Sequence, residues 1–333
     1  MSTSSSRMTS PRSTFKPFNY EWAFEYWLKH EQAHWLHTEV PMSDDINDWN
    51  NKLTEEQKNF LTHLFRFFTQ GDVDVASAYV NNYLPIFPQP EMRMMLLGFG
   101  AREAVHIAAY SHLIESLGMP ETTYNEFMKY KEMADKHAYL EEFTAKDERS
   151  IAQQIAVFSL FTEGLQLFST FAMLLNFPRH GLMRKMGQIV TWSIRDESIH
   201  IEAMTRTFVE FIKEHPHIWT KEFKAELVEI GKKMVELEDA FIDLTFNMVP
   251  MLNMTAEETK QYIRYVHDRR LISVGLKGTY KVKKNPLPWI DLMINAPIHG
   301  NFFEQTITDY SKGAHTGDWS QVWGAMKRPT LTP

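Results

Sequence analysis

The sequence predicts an all-α protein built as a bundle of long helices. Strand-like alternation between glycine and proline turns is scarce from about Tyr20 to Tyr280. Helix breakers are few, with 14 Gly and 15 Pro in 333 residues, many of them toward the C-terminal end. Apolar residues instead recur at helical spacing, over segments longer than the average helix of about eleven residues.

The elements follow in chain order. Residues 1–16 are Ser/Thr-rich, with Arg7, Arg12 and Lys16 and no acid. They lack the apolar run of a secretory signal, and a disordered N-terminal tail is the simpler reading beside an organelle transit peptide. Helices are expected over residues 20–38, 54–84, 89–117, 121–145, 149–176, 180–213, 218–248 and 255–273. Asp44 to Asp48 and Thr54 are N-cap types, and Thr54 with Gln57 makes a capping-box pattern. Pro88 and Pro90 open the third helix, Gly118 with Pro120 closes it, and Pro178 breaks the chain after the fifth. Residues 283–300 carry Pro286, Pro288, Pro297 and Gly300 and no helical period. The expected organisation is a tail over 1–16, one helical domain over 17–300 and a flexible C-terminal tail over 301–333. Trp319 and Trp323 are unusual residues for such a tail.

Composition narrows the function. Lys+Arg 35 against Asp+Glu 42 gives a net charge of -7, which argues against broad nucleic-acid binding. The absence of cysteine excludes disulfides, thiolate metal sites, iron–sulfur clusters and a cysteine nucleophile. Any transition metal must therefore be held by His and carboxylate. Residues 151–177 are apolar enough to suggest a membrane span, but Glu163 sits in their middle, with Gln153, Gln154 and Gln166 nearby. A helix buried in a soluble bundle fits better, and the cytoplasm is the default compartment.

Two Glu-x-x-His motifs stand out, Glu103/His106 and Glu197/His200. Residues three apart share a helix face, so each pair can grip one ion from one side, and this donor set suits iron or manganese. A four-helix dinuclear site needs one carboxylate from each of two further helices. Glu163 is the only acid between Ile151 and Phe177, and burying it unpaired costs several kcal/mol, on the order of a lost ion pair. Asp72 and Asp74 are both available on another helix. They point to nearly opposite sides, and spacing alone does not choose between them. Tyr110 follows His106 by four and Glu103 by seven, on nearly the same face.

These motifs resemble the small, radical-generating subunit of class I ribonucleotide reductase over residues 20–310. The family pattern is a carboxylate, Glu-x-x-His about 31 residues later, a lone Glu on an apolar helix, and Asp-Glu-x-x-His about 34 after that. On this pattern the first carboxylate is Asp72, the lone Glu is Glu163 and the last motif is Asp196-Glu197-Ser198-Ile199-His200. Asn285-Pro286-Leu287-Pro288-Trp289 and Asn301-Phe302-Phe303-Glu304 also resemble family segments.

The resemblance implies a ferritin-like helical bundle with extra helices and an oxidoreductase activity, that of ribonucleoside-diphosphate reductase in deoxyribonucleotide synthesis. It implies a dinuclear iron centre, with manganese–iron or dimanganese as alternatives, held by Asp72, Glu103, His106, Glu163, Glu197 and His200. Oxygen or a reduced oxygen species would react there and leave a tyrosyl radical on Tyr110. Trp35, in a W-x-x-x-E-V context with Glu39 and Val40, Asp196 and the tail residue Tyr310 match the radical-transfer positions. The implied partners are a second copy in a homodimer and a separate large subunit reached through the C-terminal tail, with no membrane and no nucleic acid. Two positions depart from the family pattern. Ser193 joins Leu167 and Phe171 around Tyr110, where the family often has an aliphatic group, and the tail ends in the basic MKRPTLTP. The competing readings are a di-metal oxidase or desaturase, and a metal-storage bundle, on the same scaffold.

Overall fold

A computed structural model describes residues 7–120, 130–248, 251 and 253–295. The described residues contain no strand. The helices are α1 (Glu21–Gln32), α2 (Ser43–Asn51), α3 (Glu55–Ala78), α4 (Pro90–Ser116), α5 (Lys131–Glu141), α6 (Glu148–Ile155), α7 (Leu167–Arg179), α8 (Arg184–Glu214), α9 (Lys221–Met248), α10 (Ala256–Ser273) and α11 (Pro288–Asn295). Two π-helical stretches interrupt them. One, Tyr79–Tyr83, continues α3, and the other, Ala156–Gln166, joins α6 to α7.

The core is where α3 packs along α4, and α8 packs along α7 and the longer π stretch. Helix α1 covers α4, while α9 and α10 cover the π stretch from another side. The apolar run of residues 148–179 is long enough to cross a membrane, but its apolar window is 94% buried within the protein, as a core helix requires.

Local chemistry explains the boundaries. The Thr54 side chain accepts from the Gln57 backbone N–H, and the Gln57 side chain accepts from the Thr54 N–H, so the expected capping box starts α3. Pro90 opens α4. Helix α1 stops at Gln32, not 38. Arg102 and Arg195 both donate to the Ala33 carbonyl, at 2.9 and 2.6 Å, and so satisfy a carbonyl that another turn would have used.

Several expectations need correction. The acids around 44–48 form part of a helix, α2, and cap a different one. Asp45 accepts from the backbone N–H groups of Lys185 and Met186, and Asp48 from that of Met183. They supply the start of α8 with the acceptors that Met183, in the left-handed region at φ 52°, does not provide itself. Pro178 lies inside the last turn of α7 and does not end it. Residues Pro288–Asn295 form α11, because Pro288 suits a first helical turn. Of the helix expected over 121–145, only Lys131–Glu141 lies in a described helix, and residues 121–129 lie outside the described residues.

The N-terminal segment expected to be a disordered tail is anchored from Arg7 onward. Met8 is fully buried, its N–H donates to Glu214, and Gln89 donates to the Arg7 and Ser10 carbonyls. A thioether filling a core gap, with its flanking backbone bonded, outweighs the polar composition around it.

Candidate metal centre

Four elements bring the six expected donors together. Asp72 comes from α3, Glu103 and His106 from α4, Glu163 from the longer π stretch, and Glu197 and His200 from α8. Ligand atoms of Asp72, Glu103, His106 and Glu197 all lie within 4.8 Å of one another, as do those of Glu103, Glu163, Glu197 and His200. Glu103 and Glu197 belong to both groups, which is the arrangement of two adjoining ion positions sharing two carboxylates. All six side chains are buried. Asp74 instead faces the protein's edge, where it meets His137 Nδ1 at 2.9 Å, so the pair that spacing left open separates by burial.

The helical register accounts for the pairing. His106 Nδ1 lies 3.3 Å from Glu103 Oε2 and 3.3 Å from Glu197 Oε1. His200 Nδ1 lies 3.1 Å from Glu103 Oε1 and 3.4 Å from Glu197 Oε2. Both imidazoles therefore aim Nδ1 inward. Their outward Nε2 atoms meet different partners, Asp196 Oδ2 at 3.3 Å for His106 and His30 Nε2 at 3.1 Å for His200.

The donor set fits a pair of metal ions. Asp72 Oδ2, Glu103 Oε1, Glu163 Oε2, Glu197 Oε2 and His200 Nδ1 are buried and make no well-aligned hydrogen bond, although His200 Nδ1 stands in ion-pair range of Glu103 Oε1 and Glu197 Oε2. Buried polar atoms are rarely left so, and five in one space ask for a cation. Burial, then the charge of Glu103, pushes the Asp72 carboxyl well up, and burial pushes Glu163 up to about 7. Burial works against the charge of Glu103 as well, but the two imidazoles hold it down to about 2. Four carboxylates this close cannot all ionise alone, whereas two divalent ions would balance them.

Tyr79 and Glu163 join the two π stretches. The Tyr79 hydroxyl donates to Glu163 Oε1 at 2.8 Å, leaving Oε2 as the free oxygen. π-helical segments are frequent at functional sites because they re-aim side chains that α-helical register would turn away.

Tyr110 is fully buried. Its hydroxyl donates to Ser193 Oγ at 3.4 Å, and its ring stacks on Phe68 with centroids 4.7 Å apart. Phe68 in turn stacks on Phe171 at 4.8 Å, and Leu167 is buried as well. Burial, then the charge of Asp72, pushes the Tyr110 phenol far up, so the neutral form is held.

Asp196 is a junction. It accepts from Trp35 Nε1 at 2.7 Å and from Arg102 at 2.9 Å, beside His106 Nε2. Burial opposes its charge, yet His106, Arg102 and Arg195 together hold it below the usual carboxylate range. Trp35 stacks on His106 at 6.0 Å and lies 5.1 Å from Trp192. Tyr310, Trp319 and Trp323 lie outside the described residues.

Sequence reasoning missed Arg102, Arg195, His30 and Tyr79. Arg102 and Arg195 each stand immediately before a motif acid, Glu103 or Asp196, and that adjacency was a usable signal. His30 and Tyr79 meet the centre only across helices, and nothing in their own segments marks them.

Comparison with known proteins agrees with this geometry. A family model described as ribonucleotide reductase, small chain, matches residues 12–286. The chain is 49% identical to a probable ribonucleoside-diphosphate reductase small subunit of Invertebrate iridescent virus 3, over 94% of this chain and 88% of that one. It is 30% identical to the ribonucleoside-diphosphate reductase subunit beta of Chlamydia pneumoniae, over 88% of each. The ribonucleotide reductase R2 subunit from Clostridium botulinum shares the fold, with a TM-score of 0.78 at 22% identity over 85% of this chain and 91% of that one. The dimanganese(II)-NrdF of Streptococcus sanguinis does so with a TM-score of 0.75 at 19% identity, over 86% and 99%. With buried carboxylates and imidazoles paired across four elements of a ferritin-like bundle, the chain belongs to the ribonucleotide reductase small-chain family, whose members carry a dinuclear metal centre.

Proposed function

We propose that Asp72, Glu103, His106, Glu163, Glu197 and His200 hold two metal ions, and that Tyr110 carries the radical this small subunit of ribonucleoside-diphosphate reductase delivers. The observation that carries the reading is the convergence of six buried donors with five unbonded polar atoms. When bound, such a centre supplies the one-electron oxidising power, drawn from oxygen or a reduced oxygen species, that converts a phenol to a phenoxyl radical. Two irons are the default, with manganese–iron and dimanganese as the other options for these donors.

The chain's own residues do the rest. Because Tyr110 is held neutral, its electron and proton leave together. Phe68, Phe171 and Leu167 keep water from the ring, and the Ser193 hydroxyl is the polar neighbour that sets the radical's hydrogen bond. Asp196, kept ionised, receives the Trp35 indole N–H and fixes the proton of His106 on Nε2, leaving Nδ1 free for an ion. Trp35, joined to His106 through Asp196, is the first carrier out of the centre, and Tyr310 is the last on this chain. An oxidase or a storage bundle has no use for that junction.

Small subunits of this family work with a large subunit and are typically dimeric. We take the chain to be a homodimer that docks on its large subunit through residues 301–333. The family is one of soluble enzymes, and we take the chain to act in the cytoplasm.

The test is metal analysis with electron paramagnetic resonance. Protein loaded with Fe2+, Mn2+ or both and exposed to air should hold two ions per chain and show a tyrosyl signal with at least one loading. Tyr110→Phe should lose the signal and keep the metal. Glu163→Ala should hold fewer ions and give no signal. A tyrosyl signal that survives Tyr110→Phe overturns the assignment.

A further inference from the structure

We infer that Glu148, His215 and His217 form a second, separate binding site for a single divalent transition ion of the Zn2+ type. His215 Nδ1 and His217 Nε2 each lie 3.0 Å from the same oxygen, Glu148 Oε2. All three donor atoms fall within 4.8 Å of one another. Ligands that share a tetrahedral ion at about 2.1 Å sit roughly 3.4 Å apart along an edge of its shell, so each contact has to open by only about 0.4 Å to admit one. Two imidazoles and one carboxylate are also a recurring donor set for Zn2+ with an open position for water.

The local fold builds this site. Asp147 caps the start of α6, accepting from the Ser150 N–H at 2.8 Å, and so fixes Glu148 in the first turn. On the facing side, His215 ends α8 and Pro216 opens a short 3-10 turn over Pro216–Ile218. The Ile218 N–H donates to the His215 carbonyl, and that turn brings residues 215 and 217 to one side. His215 is only 4% exposed and packs on Phe211 with ring centroids 4.4 Å apart. Its Nε2 is buried without a partner, so Nδ1 is the one nitrogen that can reach an ion. His217 and Glu148 are exposed, on a cavity of about 360 Å³ also lined by Arg149, Ile218 and Thr220. Arg149, the nearest cation in sequence, is drawn to Glu226.

The three residues lie on α6 and on the α8–α9 connection, while the dinuclear donors lie on α3, α4, the longer π stretch and α8. No donor is shared. An ion here ties the start of the run that carries Glu163 to the end of α8, which carries Glu197 and His200. Its role is therefore that of a clip on the elements framing the centre.

The experiment uses the full chain, stripped of metal, with Zn2+ as the probe. Bound zinc is counted after gel filtration for wild type, Glu148→Gln and His217→Ala. Both substituted side chains are exposed, and circular dichroism checks that the variants fold. Wild type should hold one Zn2+ more per chain than either variant. Affinity for that ion should fall at least tenfold in each variant, about 1.4 kcal/mol. Glu163→Ala should retain the extra ion, which separates this site from the dinuclear one. Zn2+ should also raise the melting temperature of wild type more than that of His217→Ala. Equal zinc content in wild type and both variants overturns the proposal. So does loss of the extra ion in Glu163→Ala alone.

Discussion

His267 shows how a single buried side chain sets a pH dependence away from the metal centre. It stacks on Phe161 at 6.0 Å and meets Tyr280 at 5.1 Å, and both ring nitrogens are buried without hydrogen bonds. Burial holds its pKa down to about 4, against the pull of the neighbouring Asp268 and with a further push from Lys232. The unfolded chain titrates near the ordinary value of 6.5. Between those values the unfolded state binds more protons, so stability is full above about pH 6.5 and is lost as pH falls toward 4. From pH 7 to pH 5 the loss from this residue is roughly 2 kcal/mol. His267→Gln, which stays neutral, should remove that part of the slope. Urea unfolding of wild type and variant at the two pH values checks it, and identical slopes would show that His267 is not the source. The contrast with His106 and His200 is physical. Those imidazoles are also buried, but carboxylates within hydrogen-bond reach push both well up.

At the scale of elements, legibility depended on whether partners share a helix. Glu103, His106 and Tyr110 lie on one helix at spacings of three, four and seven, so the sequence displays their common face. Glu163 was visible as the only charge in a long apolar run. Tyr79 was not visible, because its contact with Glu163 arises from two π-helical stretches, and an α-helical period cannot reveal a change of register. Asp45 and Asp48 have the composition of N-caps, yet the helix they cap is α8, 135 or more residues away along the chain. Capping chemistry identifies an acceptor but not which helix it serves.

The π stretch also makes a prediction at Gly164, next to Glu163. A Cβ there would meet Arg270 Nε at 2.9 Å and the Ser159 carbonyl oxygen at 3.0 Å. Arg270 itself donates to the Gly164 carbonyl at 2.7 Å, so it cannot withdraw without losing that bond. In an ordinary helix Gly→Ala gains up to about 1 kcal/mol. Here Gly164→Ala should instead cost about 1–3 kcal/mol by overpacking, and lower the bound metal by displacing Glu163. Denaturation and metal analysis together check this, and a stabilised variant with full metal content would show that the segment can yield.

At the scale of the whole molecule, the question is how an oxidising equivalent leaves a buried site. Tyr110 is fully enclosed, and the junction of His106, Asp196 and Trp35 is buried too, with Trp192 the next ring beyond Trp35. The chain has no cysteine and the family works with a large subunit, so the proposed radical has to reach that partner. A carrier is then needed near the place where the two subunits meet. Tyr310 suits that role because it follows Asn301-Phe302-Phe303-Glu304 and precedes Trp319 and Trp323. Those tryptophans are four apart, so they would share one face of a helix formed on binding, and large aromatics dominate interface energy once desolvated. On the proposed reading, radical formation is local to α4 and its neighbours while turnover needs the tail, so the two should be separable. Truncation after Tyr310 should leave the tyrosyl signal intact and weaken binding to the large subunit at least tenfold, about 1.4 kcal/mol. Tyr310→Phe should keep both the signal and the binding while abolishing nucleotide reduction, because a phenyl ring packs like a phenol but does not give up an electron and a proton together. Paramagnetic resonance, a binding titration and a reductase assay on the same preparations read the three outcomes independently. Full reductase activity in Tyr310→Phe would remove this residue from the path and leave Trp35 as the point from which the equivalent departs.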